Sequence, residues 1–168
     1  MLYEISQGPL GDYVVTPLDV DEYNRWMRSA TRTLESAKHD VDHGDYNWAC
    51  FKAHQAAGKA LKALLWGVGV PRTGRSLTHL LNYIERELRL DLPRDVKDAC
   101  LQLDKYYVPT RYPNAWVEGI PEEYYSRSDA EDAIVKSKRI IDWVEVTWRE
   151  LLRRGEGCYR ADGKFRYL

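Results

Sequence analysis

Apolar residues recur along this chain in steps of three and four, and almost nowhere in steps of two. Val20, Tyr23, Met27, Ala30, Leu34, Ala37 and Val41 make one such stripe, the signature of an amphipathic helix. Asp19 or Asp21 can cap its start, and Gly44 suits a left-handed stop. A second helix opens near Asp45 and runs to about Val68, where Gly67 and Gly69 loosen it and Pro71 ends it. Cys50, Ala53, Ala57, Leu61, Leu64 and Val68 form its buried side. Its small residues, with Gly58 on the flank, allow another helix backbone to come close. The link between the two helices is so short that they must be antiparallel neighbours. Ser76 caps a third helix carrying Leu77, Leu80, Leu81, Ile84 and Leu88. Leu92-Pro93 opens a fourth, with Val96, Ala99, Cys100, Leu103 and Tyr107 on its inner face. A connection of roughly 18 residues follows, longer than usual and so a functional suspect. Ser128-Asp129-Ala130-Glu131 then reads as a capping box for a long last helix. Its stripe is Ala130, Ile134, Ser137, Ile141, Val144, Trp148 and Leu151.

No run has the alternation of a sheet strand, and there is no internal repeat. The pattern predicts an all-α, single-domain, up-and-down bundle of about five helices over residues 19–154. Residues 1–18, with Gly8-Pro9, Gly11 and Pro17, are expected to be an irregular arm, and residues 155–168 an irregular tail carrying Tyr159, Phe165 and Tyr167.

Composition narrows the picture. With 168 residues, 44% hydrophobic and 30% charged, the chain has enough material for one core. A net charge of −1 provides no global field for a polyanion, so any anion site must be a local patch. No apolar run approaches the ~20 residues of a membrane span, and the N-terminus lacks the blocks of a signal peptide. A cytoplasmic protein, away from membranes, is the expectation. Cys50, Cys100 and Cys158 form no C-x-x-C pair, and the first two fall on apolar faces, so reduced buried thiols are expected. No H-x-x-x-H or H-E-x-x-H pattern occurs, and neither a metal nor another cofactor is expected.

The candidate chemistry lies in two places. On the second helix Trp48, Lys52, Gln55, Lys59, Lys62 and Trp66 follow one another at steps of four and three, nearly opposite the core face. Such a row is either a solvated surface or, bracketed by two indoles, a place for phosphates and a base. The second place is Tyr106-Tyr107-Val108-Pro109-Thr110-Arg111-Tyr112-Pro113, a stiff aromatic loop holding one guanidinium suited to a phosphate or carboxylate. His79, in the first turn of the third helix, can hold a loop, donate to a ligand or act as a base. His54 reads as an interior or interface histidine, and His39 and His43 as structural ones at a helix end. Gly67 through Arg75 is glycine- and arginine-rich without the spacing of a P-loop, and reads as a turn whose two arginines could meet a phosphate.

Taken in order, three motifs give the chain a family look. Ala56-Ala57-Gly58-Lys59-Ala60-Leu61-Lys62-Ala63-Leu64-Leu65, Ser76-Leu77-Thr78-His79-Leu80-Leu81 and Thr110-Arg111-Tyr112-Pro113 together resemble the HEPN domain, an all-α family found beside nucleotidyltransferases in prokaryotes. The resemblance spans roughly residues 20–150. The family often has glutamate where this chain has Gly58. Its ribonuclease members carry R-x4–6-H late in the domain, the arginine on phosphate and the histidine as acid or base. Here no histidine follows His79, and the pair Arg32 and His39, with matching spacing, stands on the first helix instead. The resemblance therefore implies a non-catalytic bundle, commonly a homodimer, that binds a nucleotide or a separately encoded minimal nucleotidyltransferase. Lys52, Lys59, Lys62 and Arg111 would face phosphate, Tyr107 and Tyr112 would shape the pocket, and His79 would hold or donate. The rival readings are a metal-independent RNA-cleaving toxin using His79 or His54 with Arg111, and a structural adaptor docking an acidic surface.

Overall fold

The computed structural model describes residues 13–154, 157–160 and 165–166. Five α-helices carry the fold: α1 (Val20–His43), α2 (Tyr46–Gly67), α3 (Leu77–Leu88), α4 (Arg94–Leu103) and α5 (Arg127–Arg154). Among the described residues the helical bundle is the one that the apolar periodicity predicts.

Asp19 starts α1 by accepting from the Glu22 amide at 2.9 Å. Gly44 ends it at φ 87°, a conformation that glycine adopts at little cost, and the chain turns directly into α2. α2 is the central element. It packs against α1, α5 and α3, so its buried set is much wider than one stripe: Ala49, Ala56, Ala60, Ala63 and Leu65 are buried along with the expected face. Alanine and glycine make this possible, because neighbouring backbones can approach from several sides. At Gly67 a Cβ would stand 2.6 Å from the Trp148 ring and 3.0 Å from the Tyr23 Cβ. There Tyr23 of α1 and Trp148 of α5 stack at 4.1 Å, closing one end of the core over α2. Cys50 and Cys100 are free and buried, and burial pushes each thiol up to about 12, consistent with inert packing residues.

Three local expectations change. The cap of α5 is Ser126 with Asp129: the Asp129 amide donates to Ser126 Oγ at 3.2 Å, and Asp129 Oδ2 accepts from the Ser126 amide at 2.8 Å. Glu131 pairs with Arg127 at 3.5 Å instead. The sequence holds two serines each three residues before an acid, so spacing alone could not choose. α4 stops at Leu103 and tightens into a 3₁₀ turn, Asp104–Tyr106, short of Tyr107, because Asp104 is drawn to α3. The described parts of the two arms pair as strands: β1 (Tyr13–Thr16) lies antiparallel to β2 (Gly157–Arg160), which pairs with β3 (Phe165–Arg166). Strands of two to four residues are too short to show alternation, and β1 finds its partner at the other end of the chain. The rest of the arms predicted as irregular, residues 1–12, 155–156, 161–164 and 167–168, lies outside the described residues.

Candidate anion-binding cleft

The polar stripe of α2 divides into two environments. Near its start, Lys52 lies 2.8 Å from Asp40 Oδ1 and 2.7 Å from Oδ2 on α1, so its charge is matched. Arg111 lies close by, with its guanidinium carbon 4.3 Å from the Phe51 ring centre, 4.5 Å from Tyr107 and 4.8 Å from Tyr112. Its Nε donates to the Tyr107 carbonyl at 2.8 Å. Arginine here holds a loop together through cation–π contacts. Thr110 is wholly buried, donates to the Tyr106 carbonyl at 2.7 Å, and its own carbonyl accepts from Asn47 of α2 at 2.9 Å. The Thr110-Arg111-Tyr112-Pro113 segment is thus clamped to α2 from within.

Toward the other end of α2 the surroundings differ. A cleft of about 520 Å³ opens between α1, α2 and the connection before α3, a size typical of small-ligand sites. Lys59, Lys62 and Arg75 line it, and no carboxylate does. Lys59 donates to Thr33 Oγ1 of α1 at 2.8 Å, a neutral partner that leaves its charge unmatched. Lys62 has no ion-pair or hydrogen-bond partner among the described residues. Partial burial lowers both lysines from the ordinary range. Trp26 of α1 and Tyr107 supply flat rings to the wall. Trp26 also stacks on Trp66 at 6.1 Å, and its buried Nε1 has no hydrogen-bond acceptor. The Arg75 guanidinium carbon stands 5.5 Å from the Tyr107 ring centre, so cation and ring share one wall.

Behind the lining of the cleft, next to His54, lies Asp104. Its carboxylate accepts from Ser76 Oγ at 2.9 Å and from the backbone amides of Leu77 at 2.6 Å and Thr78 at 3.0 Å, covering the first turn of α3. His54, 2% exposed, directs Nε2 toward the same carboxylate at 3.5 Å, while its Nδ1 lies 3.0 Å from Gln55 Nε2. Burial alone would raise the Asp104 carboxyl. The interactions with His54 and with the α3 amides outweigh that and hold it well below the usual carboxylate range. At 3.5 Å the His54 contact is long for a hydrogen bond, so the two short amide bonds are its firmest holds. Nδ1 is within hydrogen-bond distance of the Gln55 amide, while Nε2 is buried without a hydrogen-bond partner among the described residues.

Of the residues expected to face a ligand, the structure brings Lys59, Lys62 and Tyr107 together. It places Lys52 on Asp40, Arg111 and half-exposed Tyr112 in the aromatic cage, and His79 exposed on α3 outside the cleft. The family model of the HEPN domain matches residues 23–147, most of the chain and all of the elements just described except the arms and the ends of α1 and α5. The chain belongs to the HEPN domain family. Its relatives of known structure agree. A Thermus thermophilus protein is 38% identical with a TM-score of 0.71, the match covering 75% of this chain and 98% of that one. An archaeal HEPN homologue is 38% identical with a TM-score of 0.63, over 74% and 96% of the two chains. A HEPN domain protein from Thermotoga maritima is 37% identical with a TM-score of 0.60, over 77% and 98%. No match was found among curated proteins.

Within this HEPN bundle the three motifs have separate duties. The α2 motif carries Lys59 and Lys62 into the cleft, the Ser76–Leu81 motif presents backbone amides to Asp104, and the Thr110–Pro113 motif locks a loop. Trp26 and Asp104 are contributors that the sequence candidates omit, while Arg75 is one of the two turn arginines read as able to meet a phosphate. Trp26 lies off the α1 core stripe, and Asp104 falls where the fourth helix was expected to continue. Arg75 carried a signal, since it stands between a glycine and the α3 cap. Among the described residues no group of three metal-ligating side chains occurs, and no helix is long and apolar enough to cross a membrane.

Proposed function

We propose that the cleft binds the phosphate end of a nucleotide, with Lys62 and Arg75 as its principal contacts. The carrying observation is the convergence of Lys59, Lys62 and Arg75, with no carboxylate among them, on a chain whose net charge is only −1. Charge-assisted hydrogen bonds to phosphate are the strong ones, about 1.5–3 kcal/mol each. Trp26 and Tyr107 offer faces for a base. A binding role fits better than acid–base catalysis, because His54, the histidine in the cleft, is 2% exposed and so has little access to a ligand. A nucleotidyltransferase partner would meet the same site if it presented its nucleotide there.

Calorimetric titration with ATP tests this reading. It predicts saturable heat, weakened by salt and competed by inorganic phosphate; no heat at millimolar ATP contradicts it. Because Lys59 and Lys62 titrate below the ordinary lysine value, affinity falls on the alkaline side earlier than a normal lysine, near ~10.4, would allow. Bound phosphate favours the protonated amines, so binding in that range takes up protons, measurable as a buffer-dependent heat.

A further inference from the structure

We propose that Lys62 is a site of acyl transfer from acyl phosphates, and that its acylation switches the cleft off. The inference rests on the anion-site reading above and adds a substrate class and a control to it. Most described lysines are unsuited to such chemistry. Lys38, Lys52, Lys97, Lys136 and Lys138 each face a carboxylate, which stabilises the ammonium form and withholds the lone pair. Lys105 is exposed and unpaired among the described residues, but it lies outside the cleft. Lys59 is tied to Thr33 Oγ1 at 2.8 Å. Lys62 remains: part-buried, unpaired, and in a cleft with two other cations.

The arrangement supplies both halves of the reaction. With Lys59 and Arg75 on the phosphate of the donor, Lys62, the third cation lining the same cleft, is the amine available to its carbonyl carbon. Partial burial raises the neutral fraction of the Lys62 amine. That amine attacks the carbonyl carbon, forming the C–N bond. The C–O bond to phosphate breaks, the electron pair leaves with phosphate, and the amine proton passes to water. The product is an uncharged amide on Lys62 and free inorganic phosphate. No oxidant, reductant or further reactant is required. The cleft then keeps two cations of three and gains an acyl group where a phosphate would sit, so its nucleotide affinity falls.

Acetyl phosphate is the probe, with initial acetylation rates at each lysine read by quantitative peptide mass spectrometry on the full chain. Holding donor and amine together predicts that Lys62 is acetylated about fivefold or more faster than Lys105. Inorganic phosphate slows Lys62 and leaves Lys105 unchanged. Arg75→Gln brings the rate of Lys62 down toward that of Lys105 in a protein that unfolds at the same urea concentration. An acetyl ester of N-hydroxysuccinimide, which carries no phosphate, shows a smaller preference for Lys62, the part owed to its neutral amine alone. Equal rates with acetyl phosphate, equal protection of both lysines, or the same preference with the ester would each overturn the proposal. The ATP titration separates the two readings. ATP heat without Lys62 selectivity sinks the acylation alone; phosphate-protected selectivity without ATP heat sinks the nucleotide reading and supports an acyl phosphate site.

Discussion

The two halves of the α2 stripe carry the same residue types and do different things. At the first half Lys52 meets Asp40, and Arg111 sits among Phe51, Tyr107 and Tyr112. At the second, Lys59, Lys62 and Arg75 meet no acid, and their charges face a cleft. Periodicity put all the lysines on one face of one helix. What α1 and the loops set opposite them decided which are neutralised inside the protein and which remain available. A cation's usefulness for binding is thus a property of its surroundings more than of its place on a helical wheel.

The contrast can be broken first at the support of the open half. Asp104→Ala leaves the amides of Leu77 and Thr78 without their acceptor, and should cost about 2–4 kcal/mol in urea unfolding. The folded carboxyl lies below its unfolded value, so its contribution is fully present above the ordinary aspartate pKa near ~3.9 and disappears as pH falls from there toward the lower folded value. Asp104→Asn should flatten that acid limb in a pH series of unfolding curves. Next comes the cage: Arg111→Ala should cost about 1–2 kcal/mol and leave ATP affinity unchanged, since its contacts are to rings and one carbonyl. Lys62→Ala should show the opposite, an affinity loss of about tenfold with stability within about 0.5 kcal/mol of the parent. Smallest of all, Lys52→Ala should move stability by less than about 1 kcal/mol and binding not at all, because its part-exposed pair with Asp40 is screened by solvent.

The helices were legible because each has at least one buried stripe, and α2 was legible as a helix although not as the centre. Its alanines are neutral in a hydrophobic pattern, so Ala49, Ala56, Ala60 and Ala63 gave no hint that neighbours cover them on several sides. The capping of α3 could be read because Ser76 stands alone before its helix, and that of α1 was narrowed to Asp19 or Asp21, of which Asp19 is the cap. That of α5 could not, because Ser126 and Ser128 both satisfy the spacing. Of the residues lining the cleft, Lys59, Lys62 and Tyr107 were among the sequence candidates. Asp104 was invisible because its work is tertiary: it leaves the end of α4 to cap a different helix. Lys52 and Arg111 were also candidates, and the structure gives them partners within the protein, Asp40 on α1 and the rings of Phe51, Tyr107 and Tyr112.

The central claim is that charge on α2 is free at one end and consumed at the other. Calorimetric ATP titration of two double variants tests it directly, Lys59→Ala/Lys62→Ala against Lys52→Ala/Arg111→Lys, with circular dichroism confirming that both stay helical. The account predicts that the first pair abolishes saturable ATP heat and the second retains the parent affinity. Equal loss in both, or loss confined to the second, would contradict it.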